Sequence, residues 1–330
     1  LANEICTLLN IEKPVLSAPM GGAAGPELVA AVCSAGGYGV IPLWGKPADQ
    51  VSDGIDAVRA LTDRNFAVNL NLAFPYEDQL RVCIDKQVHA VSLFWGMEPS
   101  AISDAKKGGL CVMVSVGNAA EAKAAQDAGA DIIVAQGWEA GGHVWGQVAT
   151  MALIPAVVDA VSIPVVAAGG IADGRGMAAA LMLGASAVWV GTRFLASAEA
   201  TIHEDYRRRV LNASEAQTEW YTDLYDVKWP QAPHRALANS TAQTWKEAGS
   251  AAPGHRPNEG EIIGQRPGGE DVVRYQSYTP LSGTEGDIEA MSLWSGQGVA
   301  MVRDIMPAAQ IVEEIFTDAQ ALLNSAPARL

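Results

Sequence analysis

Short apolar runs recur along the first two-thirds of the chain, each followed by a longer stretch with helical signals. The first run, residues 13–18, is apolar enough for a strand and breaks at Pro19-Met20-Gly21-Gly22. Gly25-Pro26-Glu27 then opens a helix through Ala35. Proline fits a first helical turn, and an acid there meets the positive end of the helix. Gly36-Gly37 ends that helix. The same alternation predicts strands over 38–41, 66–70, 90–93, 110–115, 131–135, 164–168 and 187–190. It predicts helices over 47–61, 76–86, 99–107, 119–128, 149–161 and 174–183.

Strands separated by helices imply parallel pairing, and eight such units up to about residue 212 suggest a closed barrel. An open doubly wound sheet is the structural alternative, but no G-x-G-x-x-G follows the first strand. The expected class is therefore α/β, a (β/α)8 TIM barrel over 1–212 with a smaller C-terminal lid or substrate subdomain. Residues 213–285 carry Trp220, Tyr221, Tyr225, Trp229, Trp245, Tyr275 and Tyr278 among many prolines and glycines. The segment is too long for a plain loop and reads as a lid over the barrel mouth, with most of its aromatics forming a core of its own. Residues 286–330 read as C-terminal helices that pack back on the barrel. Pro307 starts the last of them, with Ile311, Ile315 and Leu322 on its packed face.

Composition narrows the function. The 330 residues are 49% hydrophobic and 18% charged, with a net charge of −15. The one basic cluster, Arg207-Arg208-Arg209, sits beside Glu204 and Asp205. This argues against nucleic acid and against an anionic membrane, and leaves a small-molecule substrate as the expected partner. The composition is compatible with a homo-oligomer. Cys6, Cys33, Cys83 and Cys111 form no C-x-x-C pair, so neither a metal site nor a redox dithiol is expected, and three of the four read as core residues. The first residues lack the pattern of a secretory signal, and no run approaches the roughly 18 apolar residues of a membrane span. A cytoplasmic protein is expected.

In such a barrel the strand C-termini share one face, which carries the active site. The residues that follow the strands here are chemically distinctive. They include Met20, Gly21, Gly22, Asn69, Ser115, the stretch QGWEAGGHVWG from Gln136 to Gly146, Gly169-Gly170 and Gly191-Thr192. Backbone N–H groups at the last two loops suit a phosphate, and glycine permits its approach. His143, directly after Gly141-Gly142 near a strand end, is placed for proton transfer or anion contact. His89, His203, His234 and His255 read as surface or structural residues.

Residues 14–41, 66–70, 136–143 and 164–194 resemble the nitronate monooxygenases, formerly called 2-nitropropane dioxygenases. The resemblance implies an FMN-dependent barrel enzyme that oxidises alkyl nitronates with O2 to a carbonyl compound and nitrite. It implies FMN phosphate on Gly169, Gly170, Gly191 and Thr192, and flavin contacts from Met20, Gly21, Gly22, Asn69, Gln136, Gly141 and Gly142. Ser115 is an additional candidate. His143 matches the family's catalytic histidine, as base on a nitroalkane or anchor for a nitronate. Either role calls for a side chain that titrates near neutrality. Glu139 either orients His143 or caps a turn. The family pattern has glycine two residues after the histidine, where this chain has Trp145, followed by Gly146. Trp145 therefore either fills part of the pocket or marks a shifted loop.

Three rivals share parts of the pattern. FMN-dependent NAD(P)H oxidoreductases, resembling enoyl-acyl-carrier-protein reductases or quinone reductases, carry a similar glycine-histidine element. An inosine-monophosphate-dehydrogenase type of barrel needs a nucleophilic cysteine on an active-site loop, where none of the four lies. A non-catalytic flavin-binding protein would keep the glycine loops without needing His143.

Overall fold

The computed structural model describes residues 3–326. Its first nine strands are β1 (Val15–Ser17), β2 (Val40–Pro42), β3 (Ala67–Asn71), β4 (Ala90–Phe94), β5 (Cys111–Val116), β6 (Ile132–Gln136), β7 (Gly142–His143), β8 (Val165–Ala168) and β9 (Ala187–Val190). All but β7 form one parallel sheet in the order β1-β9-β8-β6-β5-β4-β3-β2. A parallel bridge between Leu16 and Tyr38 joins its two ends. Ser17 N–H donates to Tyr38 O, and Tyr38 N–H to Val15 O, both at 3.0 Å. The chain is a (β/α)8 TIM barrel. Its strands are short and buried on both faces, which is why they read as continuous apolar runs rather than as alternation.

Leu16, Tyr38, Met113, Ile132, Val166 and Trp189 fill the barrel interior around the small Ala67, Ala90 and Ala187. The same cluster holds Ile5 and Leu9 of α1 (Glu4–Leu9), a helix that the sequence pattern does not announce. Asn3 caps α1 and also donates to Ser186 O, just before β9, at 2.8 Å. The helix therefore plugs the N-terminal end of the strands, opposite the functional face.

The outer helices α2 (Pro26–Ser34), α3 (Ala48–Arg59), α4 (Glu77–Asp85), α5 (Pro99–Lys107), α6 (Ala119–Asp127), α7 (Thr150–Ala160) and α8 (Gly174–Met182) follow the strands in turn. After β9 comes only the four-residue α9 (Thr192–Leu195), followed by α10 (Glu204–Asn212) and α11 (Ser240–Glu247). The eighth outer place is taken by α12 (Ala308–Ser325), which packs against both α8 and α2. Ala308, Ile311, Val312, Ile315 and Ala319 put its apolar stripe into the main core, while Leu322 is only half-buried. Gly174 lets α12 approach: a Cβ there would stand 2.4 Å from that of Asp318. Residues 286–307, expected as helix, hold only two 3-10 turns, Ile288–Ala290 and Gln297–Met301.

Between α10 and α12 lie β10 (Thr218–Tyr221), β11 (His234–Leu237), β12 (Ile262–Gln265), β13 (Asp271–Val273) and β14 (Glu285–Gly286). Strand β11 pairs with β10 and also with β7, setting His234 opposite His143 and Arg235 opposite Gly142. Tyr221, Tyr225 and Tyr275 pack with Leu224, Ala236 and Ala242. Among the described residues, no helix is long and apolar enough to cross a membrane.

Candidate active site

The loops at the C-terminal ends of the strands enclose a cavity of about 570 Å³. Met20, Gly21, Gly22, Asn69, Ser115, Gln136, Gly141, Gly142, His143, Gly169, Gly170, Gly191 and Thr192 all line it. Residues separated by 172 positions thus share one wall system because eight parallel strands deliver their ends to one face.

The stretch after β6 is fixed on every side. Gly137 N–H donates to Ala168 O at 2.8 Å. Gln136 Nε2 donates to the His143 carbonyl at 3.2 Å. The buried Arg235 guanidinium donates to Trp138 O at 3.0 and 3.2 Å and lies 5.0 Å over the Trp138 ring. Gly141 is required by space: a Cβ there would stand 2.3 Å from Gly296 N. Glu139 does not reach His143. Its carboxylate accepts from Thr150 N–H at 2.8 Å and lies 2.9 Å from the Thr150 hydroxyl, so it caps the start of α7.

His143 is held by aromatic rings. Trp229 stacks on it at 3.7 Å, and Trp294 and Trp95 stand at 5.1 and 5.7 Å. Its Nε2 is fully enclosed and has no hydrogen-bond partner among the described residues. Burial, with His234 as the lesser cause, pushes the imidazole well below the usual histidine range. This direction runs against the expected titration near neutrality, because the rings around the imidazole solvate its charged form poorly. Trp95 adds local strain. Its φ of +65° is costly for a bulky side chain, by about 1–3 kcal/mol.

His234 is a structural partner with a fixed tautomer. Its Nδ1 donates to Ala232 O at 2.9 Å, and its Nε2 accepts from Tyr225 N–H at 3.1 Å. Burial lowers its pKa to about 4. The folded form therefore refuses a proton that the unfolded chain takes up near pH 6.5. This contribution to stability is full above pH 6.5 and is lost as pH falls through about 4, amounting to about 3 kcal/mol. Histidine NMR should show His234 still neutral at pH 5, with the urea midpoint falling across this window. A His234 titration near 6.5 would contradict the assignment.

Trp145 does not line the cavity. Its Nε1 donates to Glu121 at 3.1 Å, and its ring packs on Trp95 and Phe94 at 5.1 and 5.4 Å. Gly146 meets Gly117, where a Cβ would come within 2.8 Å of its Cα. The tryptophan thus backs Trp95 rather than filling the pocket.

Several lining residues carry no signal that the sequence reading used. Trp44 and Phe74 follow β2 and β3 and stack at 5.5 Å. As strand-end residues they were open to the same argument that found Asn69. Trp229 belongs to the aromatic segment expected over the barrel mouth, whereas Trp294 lies beyond that segment and nothing local marks it. Cysteine chemistry has no place here. None of the four lines the cavity; Cys33 and Cys83 are buried, while Cys6 and Cys111 are half-buried. Burial pushes Cys33 to about 11, and Cys83 and Cys111 to about 12.

The loops after β8 and β9 present donors. Among the described residues, neither the Gly170 nor the Gly191 N–H has an acceptor. Thr192 Oγ1 accepts from Gly296 N–H at 3.0 Å, which leaves its own proton to donate. Around Gly191 the open side is limited only by Ala18 Cβ, 3.4 Å from where a Cβ would stand. This donor set fits a phosphate.

The family model described as nitronate monooxygenase matches residues 3–76 and 70–318. A Mycobacterium tuberculosis relative, (3aS,4S,5R,7aS)-5-hydroxy-7a-methyl-1-oxo-octahydro-1H-indene-4-carboxyl-CoA dehydrogenase, is 34% identical over 99% of both chains. A nitronate monooxygenase of Paraburkholderia phytofirmans is 31% identical over 93% of this chain and 92% of its own. The structure of FabK from Thermotoga maritima superposes with a TM-score of 0.83 at 31% identity, covering both chains completely. The chain belongs to the nitronate monooxygenase family and is a flavin-dependent oxidoreductase.

Proposed function

We propose that this chain binds FMN and oxidises alkyl nitronates, and nitroalkanes once deprotonated, with O2 to a carbonyl compound and nitrite. The observation that carries this reading is that His143, whose buried Nε2 has no partner among the described residues, lines the same cavity as the phosphate-type donors. A buried polar atom without a partner costs about 1–3 kcal/mol, and such sites point to a ligand.

Gly169, Gly170, Gly191 and Thr192 would hold the FMN phosphate. Met20, Gly21, Gly22, Asn69, Ser115, Gln136, Gly141 and Gly142 would border the rest of the cofactor. Asn69 Nδ2 is engaged by Ser92 O at 3.1 Å, which leaves its carbonyl oxygen for the ligand. Bound FMN would supply an electron acceptor for the substrate and a route to oxygen. The chain's own residues do the rest. His143, on the cavity wall, takes the proton of a nitroalkane α-carbon, or carries the proton that pairs with a nitronate oxygen. An anion beside it raises its affinity for that proton. Trp95, Trp229 and Trp294 exclude water around it.

The test is anaerobic mixing of the flavin-loaded protein with ethyl nitronate and, separately, with NADPH and NADH. Flavin bleaching by nitronate alone, with nitrite formed after air is admitted, is the expected result. Full bleaching by a nicotinamide, with no response to nitronate, replaces it with the reductase reading, which the likeness to FabK supports. A flavin that responds to neither leaves a binding protein. Failure to take up FMN overturns the ligand assignment.

A further inference from the structure

The charged residues that line the cavity are all cationic. They are Lys46, Lys228 and Arg266, and among the described residues no Asp or Glu borders it. This runs against a chain with 37 acidic residues and 22 Lys plus Arg. Lys46 follows β2, Lys228 precedes Trp229, and Arg266 follows β12. They are not the phosphate donors described above, which follow β8 and β9, and β1 lies between β9 and β2 around the barrel.

Glu270 is shared by two of them. It accepts from Lys228 Nζ at 2.6 Å and lies 3.1 Å from Arg266 Nη1. Lys46 is exposed and forms no ion pair among the described residues. One acid against three cations leaves two positive charges in excess. Arg266 is anchored, with its guanidinium 4.7 Å over the Tyr278 ring. The stacked Trp44 and Phe74 bring aromatic surface to the same rim, with Trp229 5.8 and 5.2 Å away.

A simple nitronate has no use for such a rim. We propose that Lys46, Lys228 and Arg266 bind the diphosphate and ribose phosphate of a nucleotide-tailed second ligand, with Trp44 and Phe74 beside its base. Coenzyme A thioesters and NADPH share this chemistry. The inference rests on the oxidoreductase reading of the same cavity and adds a second ligand to it. Charge-assisted contacts to phosphate are the strong class of hydrogen bond, and each is worth about tenfold in affinity.

The experiment is calorimetric titration of the flavin-loaded protein with coenzyme A and, separately, with NADP⁺, at low and high salt. Binding should weaken with salt, because a rim open to solvent is screened. Lys46→Gln should weaken it about tenfold, and Lys46→Gln with Lys228→Gln and Arg266→Gln by at least about a hundredfold. Lys46 is exposed, so its single variant remains informative if the triple variant misfolds. Binding of coenzyme A alone supports the site and assigns a thioester. Binding of NADP⁺ alone supports it and assigns a nicotinamide, and binding of both supports the shared tail. Absence of binding by both, or unaltered binding by Lys46→Gln, overturns it. Ethyl nitronate carries no tail, so its reaction with the unmodified protein judges the preceding reading separately.

Discussion

Replacing His143 with alanine should leave flavin bound and lower nitroalkane turnover by roughly 10²–10⁴-fold, the usual worth of a general base. The flavin is expected to stay because the phosphate donors come from Gly170, Gly191 and Thr192, on other loops. Ethyl nitronate arrives already ionised and needs no base, so His143→Ala should cost it far less, mainly in KM. The ratio of kcat/KM for nitroethane to that for ethyl nitronate is therefore the decisive quantity. Equal losses on both substrates would remove proton transfer from His143. The pH dependence carries its own sign. A base works when unprotonated, and burial holds His143 below the usual histidine range. Nitroethane kcat/KM should then stay level from about pH 8 to pH 6 and fall only at lower pH. A fall centred on 6.5 would mean that His143 titrates as an ordinary solvated histidine.

The barrel was legible because each strand is a short buried run and each helix has its own punctuation. Pro26, Gly36 and Asn118 mark boundaries by local chemistry, and local chemistry survives in sequence. The functional face was legible for the same reason, since parallel strands send Met20, Asn69, Gln136 and Gly169 to one end. What escaped depends on distant contacts. Helix α1 is too short to show a period, and its apolar Ile5 and Leu9 matter only as a plug for a barrel that must already exist. The eighth outer helix is supplied by α12, more than a hundred residues after β9, because the intervening chain is used over the cavity. The protonation of His143 was misjudged because its cage comes from Trp229, Trp294 and His234. A glycine-rich neighbourhood looks open in sequence; here it is closed by rings from elsewhere. Glu139 was ambiguous between two local partners, and Thr150 at the start of α7 settles its role.

Gly169→Ala should strip the flavin while leaving a folded barrel, and the reason is local. Gly169 has φ +106°, outside the small left-handed region that other residues tolerate. A Cβ there would meet Gly137 O at 2.9 Å, Thr150 Oγ1 at 3.0 Å and Gly137 N at 3.2 Å. Two of these three atoms are backbone, and Gly137 is itself tied to Ala168. Neither side can yield cheaply, so the strain of about 1–3 kcal/mol is relieved by moving the loop that carries Gly170. Displacing the Gly170 N–H from its aim should weaken FMN binding by roughly 10–100-fold. The measurement is flavin content on purification and FMN affinity after reconstitution, with thermal unfolding alongside. Gly254→Ala is the control. Gly254 also has a positive φ, +88°, but a Cβ there would meet nothing within 4 Å. That variant should lose some stability and keep its flavin, since it carries the backbone strain without the collision beside the phosphate donors. If Gly169→Ala retains flavin as Gly254→Ala does, the loop after β8 does not hold the phosphate, and the cofactor must be anchored from the β9 side alone.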